Sequence, residues 1–267
     1  MDKKNNLIIT GLPRSGTSFL CSRINEVPNT AIINEPAEVF RELKGGNKDG
    51  LARLFTQYRN DIGLGKPVYN KIKEGKFIED TRLEDSRSLH THIVDDDNFM
   101  LGIKNTLVFL AMLSMLVQYK PRMKIIASIR HPYDCIGSWK GVSFPHLQNG
   151  KPDFLTDYAT GPFAVKLPKV LKEEEVDLRL AMLWQLLAQT IMSLKDKIHV
   201  VRYEDIVMKP DKAYKDICKY LQLEASAVKE IPVSKPVKRR GSLSEPQMDI
   251  IANICNKTAM QFGYRTK

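Results

Sequence analysis

Along this chain, short β-branched apolar runs alternate with segments whose apolar residues recur at helical spacing. The runs are Leu7 to Thr10, Thr30 to Asn34, Phe99 to Lys104, Lys124 to Arg130 and Ile198 to Tyr203. Each is the length of a buried strand. Between them the pattern predicts helices over Thr17 to Ile24, Leu51 to Ile62, Leu107 to Tyr119, from Pro132 onward, Glu174 to Leu194 and Lys212 to Leu221, with a last one over Pro246 to Met260. The Glu174 helix carries an apolar stripe through Leu178, Met182, Leu186 and Leu187. Strand–helix alternation of this kind predicts an α/β fold: three layers, with a mainly parallel sheet flanked by helices. Residues 40–98 and 141–172 interrupt the pattern. They read as insertions, candidates for acceptor binding, in one domain spanning 1–267. Phe144, His146, Phe154, Tyr158 and Phe163 are the aromatic candidates in the second, for a pocket or for a small satellite core.

Composition narrows the class. With 267 residues, 43% apolar and 27% charged, the chain suits one soluble globular domain with a full core. The longest apolar run, Leu107 to Val117, is too short to span a bilayer, and the N-terminus shows no signal segment, so the expectation is a cytoplasmic protein without a membrane span. Cys21, Cys135, Cys218 and Cys255 are isolated, the spacing of buried free thiols. His90 and His92 form a His-x-His without a third ligand nearby, and Asp95 to Asp97 reads as a solvated charge run, so no metal site is expected. The formal net charge of +10 fits an anionic ligand. No nucleic-acid module is recognisable.

The chemistry concentrates where the first strand meets the first helix. Gly11 to Gly16 is a tight turn with a glycine at each end. A strand, a Gly-bounded turn and a helix N-terminus make an anion cradle of converging N–H groups and a positive dipole end. The spacing Gly-x4-Gly-Thr-Ser is close to the Walker A pattern, which marks a P-loop-like nucleotide-binding fold. Thr17 stands where a nucleoside triphosphatase needs its lysine, and the cation lies inside the turn as Arg14. That suits a terminal group smaller and less charged than a triphosphate with Mg²⁺. A P-loop kinase or a non-catalytic nucleotide-binding protein stays open as the alternative.

Pro13-Arg-Ser-Gly-Thr-Ser18 resembles the phosphosulfate loop of sulfotransferases that use 3′-phosphoadenosine 5′-phosphosulfate (PAPS). Arg130-x-Pro132-x5-Ser138 resembles the motif with which that family holds the 3′-phosphate of the donor. The chemistry suits phosphate, since a guanidinium offers a bidentate fork and a hydroxyl completes the shell. The resemblance implies donor contacts from Arg14, Ser15, Gly16, Thr17, Ser18, Arg130 and Ser138. It further implies Tyr203 near the adenine, as part of Tyr203-Glu-Asp-Ile206, and a late basic loop at Arg239, Arg240 and Gly241.

Catalytic assignments come from the same resemblance. Glu35 precedes Pro36 at a strand end, which by spacing alone reads as a turn glutamate. Bacterial carbohydrate sulfotransferases carry a similar Glu-Pro whose glutamate is the general base, so the resemblance implies that role here. Lys104 is a strand-capping lysine or, as in the family, one that reaches the sulfonate. His90 or His92 is the alternative base. The activity implied is transfer of a sulfuryl group from PAPS to a hydroxyl of a carbohydrate, a glycolipid or another small acceptor, without a metal.

Overall fold

The computed structural model describes residues 5–73, 76–78, 87–96, 98–119, 123–224 and 232–266. Its centre is a five-stranded parallel sheet built from β1 (Asn6–Gly11), β2 (Thr30–Asn34), β3 (Met100–Lys104), β4 (Lys124–Ile129) and β5 (His199–Arg202). The order across the sheet is β2-β3-β1-β4-β5. Ile8 of β1 pairs with Ile103 on one side and Ile125 on the other.

Successive residues of β1 face opposite ways, as a strand requires. Leu7 and Ile9 join a core with Ile32, Ile126 and Val201, closed by α1 (Thr17–Asn25) through Leu20, Cys21 and Ile24. Ile8 joins the larger core on the other face, with Ile33, Ile103, Ile125 and Ala127. That face is covered by α2 (Lys48–Gly63), α3 (Leu107–Ala111), α4 (Leu113–Tyr119), α5 (Pro132–Lys140), α6 (Gly161–Lys172) and α7 (Val176–Met192). α8 (Tyr203–Met208), α9 (Pro210–Leu221) and α10 (Glu245–Gln261) complete the order. Burying both faces of a parallel sheet explains why its strands are continuous apolar runs. The four cysteines are free and buried, Cys21 in the α1 layer and Cys135 and Cys255 in the opposite one. No described helix is long and apolar enough to cross a membrane.

Three details depart from the sequence reading. The Leu107 helix breaks at Met112, because the Ala111 carbonyl accepts from the Thr160 backbone N–H (3.0 Å) and hydroxyl (3.3 Å). Residues 141–172 are not irregular: they contain α6, which starts at Gly161-Pro162 and carries Pro168 inside. Tyr203 does not end a strand but opens α8. Of the charge run Asp95 to Asp97, Asp97 lies outside the described residues.

Candidate functional site

All five strands run the same way, so their C-terminal ends share one edge of the sheet, where α/β folds place ligands. β1 feeds the turn that carries Arg14; Glu35 follows β2; Lys104 ends β3; Arg130 follows β4; Tyr203 follows β5. These five side chains line a single cavity of about 760 Å³, together with Gly16, Thr17, Ser18, Ser138 and Arg239.

The turn after β1 is fixed from below. Leu12 donates its N–H to the Ser128 carbonyl (3.0 Å), and Trp139 Nε1 donates to the Pro13 carbonyl (2.8 Å). Arg14 and Gly16 both adopt left-handed backbone, φ 68° and 82°. Any Cβ at residue 16 would meet the Tyr203 ring at 2.8 Å, so glycine is required on two counts. The side chain of Ser15 turns inward to Leu12 and Ser128, and its N–H donates to the Leu12 carbonyl. Ser15 therefore supports the turn and does not line the cavity, contrary to the donor contact its motif position implies. The N–H groups opening α1, at Thr17 and Ser18, have no intrahelical acceptor by construction, and both residues line the cavity.

Arg130 joins the two halves. It is 4% exposed and stacks over the Tyr203 ring at 4.5 Å. Its Nη1 donates to the Arg14 carbonyl (2.8 Å) and Nη2 to the Val237 carbonyl, while buried Nε has no hydrogen-bond partner among the described residues. Arg14 Nε reaches Ser138 Oγ at 3.4 Å, so the two motifs, 124 residues apart, meet directly. Asp134 of α5 anchors the late basic loop, accepting from the N–H groups of Arg239 (2.6 Å) and Arg240 (3.1 Å) and from Arg240 Nη2 (3.0 Å). Burial opposes its ionisation, but these donors hold its carboxyl below the usual range. Gly137 admits the loop, since a Cβ there would lie 2.4 Å from the Arg239 carbonyl oxygen. Arg239 lines the cavity, whereas Arg240 turns to Asp134 and Gly241 is exposed; neither of the last two reaches the cavity wall.

Glu35 is held between two lysines. Lys104 Nζ lies 2.6 Å from one carboxylate oxygen and Lys71 Nζ 2.9 Å from the other. The lysine side chains are 1% and 4% exposed, that of Glu35 23%. Burial pushes the Glu35 carboxyl up, but the two ammonium groups outweigh it and bring it down to about 2. The residue has φ 53°, unusual for a non-glycine residue, and its N–H donates to the Lys104 carbonyl (2.9 Å). Lys104 also reaches Ser18 Oγ at 3.3 Å, linking Glu35 to the α1 N-terminus. Sequence reasoning missed Lys71. It is placed by Asn70, whose side-chain oxygen accepts from the N–H groups of Asn34 and Lys71 (2.8 Å each).

His90 and His92 stand elsewhere. His92 is buried against Asn70 Nδ2 (3.3 Å), and burial, with a smaller contribution from His90, pushes its imidazole down to about 4. Neither lines the cavity, so the structure does not offer them as the alternative base. The cavity is also lined by a cluster of contacting rings, Phe40, Phe144, His146, Phe154 and Tyr158. Phe163, grouped with them in the sequence, is instead a core residue of α6. Among the described residues no three His, Cys, Asp or Glu side chains are grouped to hold a metal.

The family model described as "Sulfotransferase family" matches residues 6–227. No curated protein matches the chain in sequence. Among solved structures, the chain is similar to a sulfotransferase from Alicyclobacillus acidocaldarius at TM-score 0.51 and 12% identity, over 97% of this chain and 96% of that one. It also matches a sulfotransferase domain from the curacin biosynthetic pathway (TM-score 0.48, 16% identity, 98% of both chains). A third match is sulfotransferase STF9 from Mycobacterium avium (TM-score 0.47, 11% identity, 96% of this chain and 77% of that one). The first shares the fold, the α/β sheet flanked by helices.

Proposed function

The chain belongs to the sulfotransferase family, and from that premise we propose that it moves a sulfuryl group from PAPS to a hydroxyl of a carbohydrate, a glycolipid or another small acceptor. The observation that carries this reading is that Arg14 and Arg130 open onto one cavity with Glu35 and Lys104 beside them. The fit to the donor is chemical. Arg130, whose buried Nε has no hydrogen-bond partner among the described residues, lines one cavity with Ser138, which Arg14 Nε reaches, and guanidinium with hydroxyl is a donor set for a phosphate. The open N–H groups of α1 with Arg14 suit the phosphosulfate end. Tyr203, whose ring carries the Arg130 guanidinium, lines the same cavity and adds aromatic surface for a base.

The transfer needs the acceptor oxygen, the sulfur and the bridging oxygen in line, so the protein contributes position and electrostatics. Arg14 and the Thr17 and Ser18 N–H groups stabilise the charge that grows on the departing phosphate. Lys104, already 3.3 Å from Ser18, sits between that charge and Glu35. As negative charge develops on the bridging oxygen, Lys104 turns its hydrogen bond towards it and loosens its hold on the carboxylate. Glu35 then becomes a stronger base at the moment the acceptor proton must leave. No metal takes part in this scheme.

The test is a pair of measurements on the purified chain. Adenosine 3′,5′-bisphosphate should raise the melting temperature more than ATP with Mg²⁺, and radiolabelled PAPS should pass its label to an acceptor. The reverse ranking would favour a P-loop kinase and overturn the donor assignment.

A further inference from the structure

Resting on the PAPS reading, we propose that Lys71 is the positioning residue that keeps Glu35 paired with a cation once Lys104 has turned to the donor. The two lysines differ in where each ammonium can go. Lys104 ends β3, paired with Ile9 of β1, and its Nζ stands 2.6 Å from Glu35 Oε1 and 3.3 Å from Ser18 Oγ. It already spans the gap between the carboxylate and the opening of α1. Lys71 reaches the other oxygen, Oε2, at 2.9 Å, and comes from outside the central sheet. It follows the short strand Val68–Asn70, which pairs antiparallel with Ser88–His90. One side chain fastens it to the strand that carries Glu35. Asn70 donates to the Ile32 carbonyl (2.7 Å) and accepts from the N–H groups of Asn34 and Lys71 (2.8 Å each). The Lys71 carbonyl accepts from the Ile78 N–H (3.0 Å), and its side chain is buried.

Charge explains the need for a second cation. In the resting site two ammonium groups face one carboxylate. Among other groups, the Cys21 thiol of α1 also feels Glu35, but burial pushes it up to about 12 and it stays protonated. Arg14, Arg87 and Arg130 line the same cavity and keep their charge throughout. When Lys104 shifts its hydrogen bond to the bridging oxygen, a site lacking Lys71 would leave a mostly buried carboxylate without an ammonium partner. Burial pushes that carboxyl up. It would then take a proton from water before the acceptor supplies one, and could not serve as the base. With Lys71 in place the carboxylate stays ionised. Its Oε2 stays anchored, and Oε1, released by Lys104, is the oxygen that receives the acceptor proton.

The experiment reads proton uptake on nucleotide binding and needs no acceptor. Adenosine 3′,5′-bisphosphate, whose 5′-phosphate draws Lys104 as the donor does, is titrated into the full chain by calorimetry. Buffers of differing ionisation enthalpy, at about pH 5.5, report the protons taken up per nucleotide. Lys71→Met and Lys71→Gln should each take up about half a proton more than the intact chain, as Glu35 loses both cations. Lys71→Arg, which keeps the charge, should show no excess, and adding Glu35→Gln to Lys71→Met should abolish it. A merely structural Lys71 would change the melting temperature without an excess that depends on Glu35. Equal uptake in the intact chain and both neutral variants, or an excess that survives Glu35→Gln, overturns the proposal and leaves the donor reading standing. Loss of nucleotide binding in both neutral variants also overturns it, since Lys71 would then hold the nucleotide rather than the base. Absence of nucleotide binding in the intact chain overturns the donor reading, and this proposal with it.

Discussion

Lys71→Met removes one of the two ammonium groups on Glu35 and leaves the other. In the intact chain the Glu35 carboxyl titrates near 2, against an ordinary value of 4.5. By linkage, that depression contributes about 3 kcal/mol at neutral pH, at 1.36 kcal/mol per unit. The sign follows from the depressed folded value: the contribution is complete above about pH 4.5 and is lost as pH falls through about 2. An adjacent opposite charge typically lowers a carboxyl by one to three units, so losing Lys71, at 2.9 Å, should return Glu35 by about 1–2 units. The same change read as stability is a loss of about 1.4–2.7 kcal/mol at pH 7. Urea unfolding measures the second quantity; carbon NMR titration of labelled glutamate, assigned with Glu35→Gln, measures the first. The gap in stability between the two proteins should be full at pH 7 and should close below about pH 2, where the carboxyl is protonated in both. A Glu35 titration that does not move, with stability unchanged at pH 7, would refute the placement of Lys71's charge on this carboxylate.

Three further outcomes are expected. Glu35→Gln should keep its affinity for adenosine 3′,5′-bisphosphate and lose about a hundredfold or more in turnover, measured under single-turnover conditions, as general-base removal costs; undiminished turnover rejects Glu35 as the base. Arg130→Ala should weaken adenosine 3′,5′-bisphosphate in calorimetry far more than AMP; equal losses mean that this guanidinium does not read the 3′-phosphate. Gly137→Ala should lower the melting temperature, because the gain in helix propensity, about 1 kcal/mol, does not offset a backbone carbonyl at 2.4 Å that has to give way. Its Cβ would displace the Arg239 backbone, from which it would stand 2.4 Å, and so weaken nucleotide binding by about tenfold, one lost charged contact. Unaltered affinity would show that the basic loop takes no part in holding the nucleotide.

What the sequence disclosed follows from how far each feature reaches along the chain. The turn from Gly11 to Ser18 and the Arg130–Ser138 segment are each contiguous, so residue types at fixed spacing already expose their chemistry, and the sheet brings them together. Strand ends were legible because each apolar run stops where a polar residue begins. Lys71 was not, because its partner is 36 residues away and the encounter depends on Asn70 bridging a strand end to a loop. The helix over Gly161–Lys172 was hidden by Pro162 and Pro168, though Phe163, Leu167 and Val170 carry helical spacing on its buried side. Arg240 and Ser15 sit inside suggestive motifs, and only coordinates reveal that one faces Asp134 and the other the underside of the turn.

The concealed thiols have a practical use. Burial pushes the Cys21 thiol up to about 12 and those of Cys135 and Cys255 higher still. Only the thiolate attacks an alkylating reagent, so the native chain should resist maleimide at neutral pH, and each label acquired records an opening event. Cys21 samples one side of the sheet and Cys135 and Cys255 the other. Peptide-resolved labelling therefore times the loosening of the two layers independently, without a tag, a mutation or a spectroscopic probe.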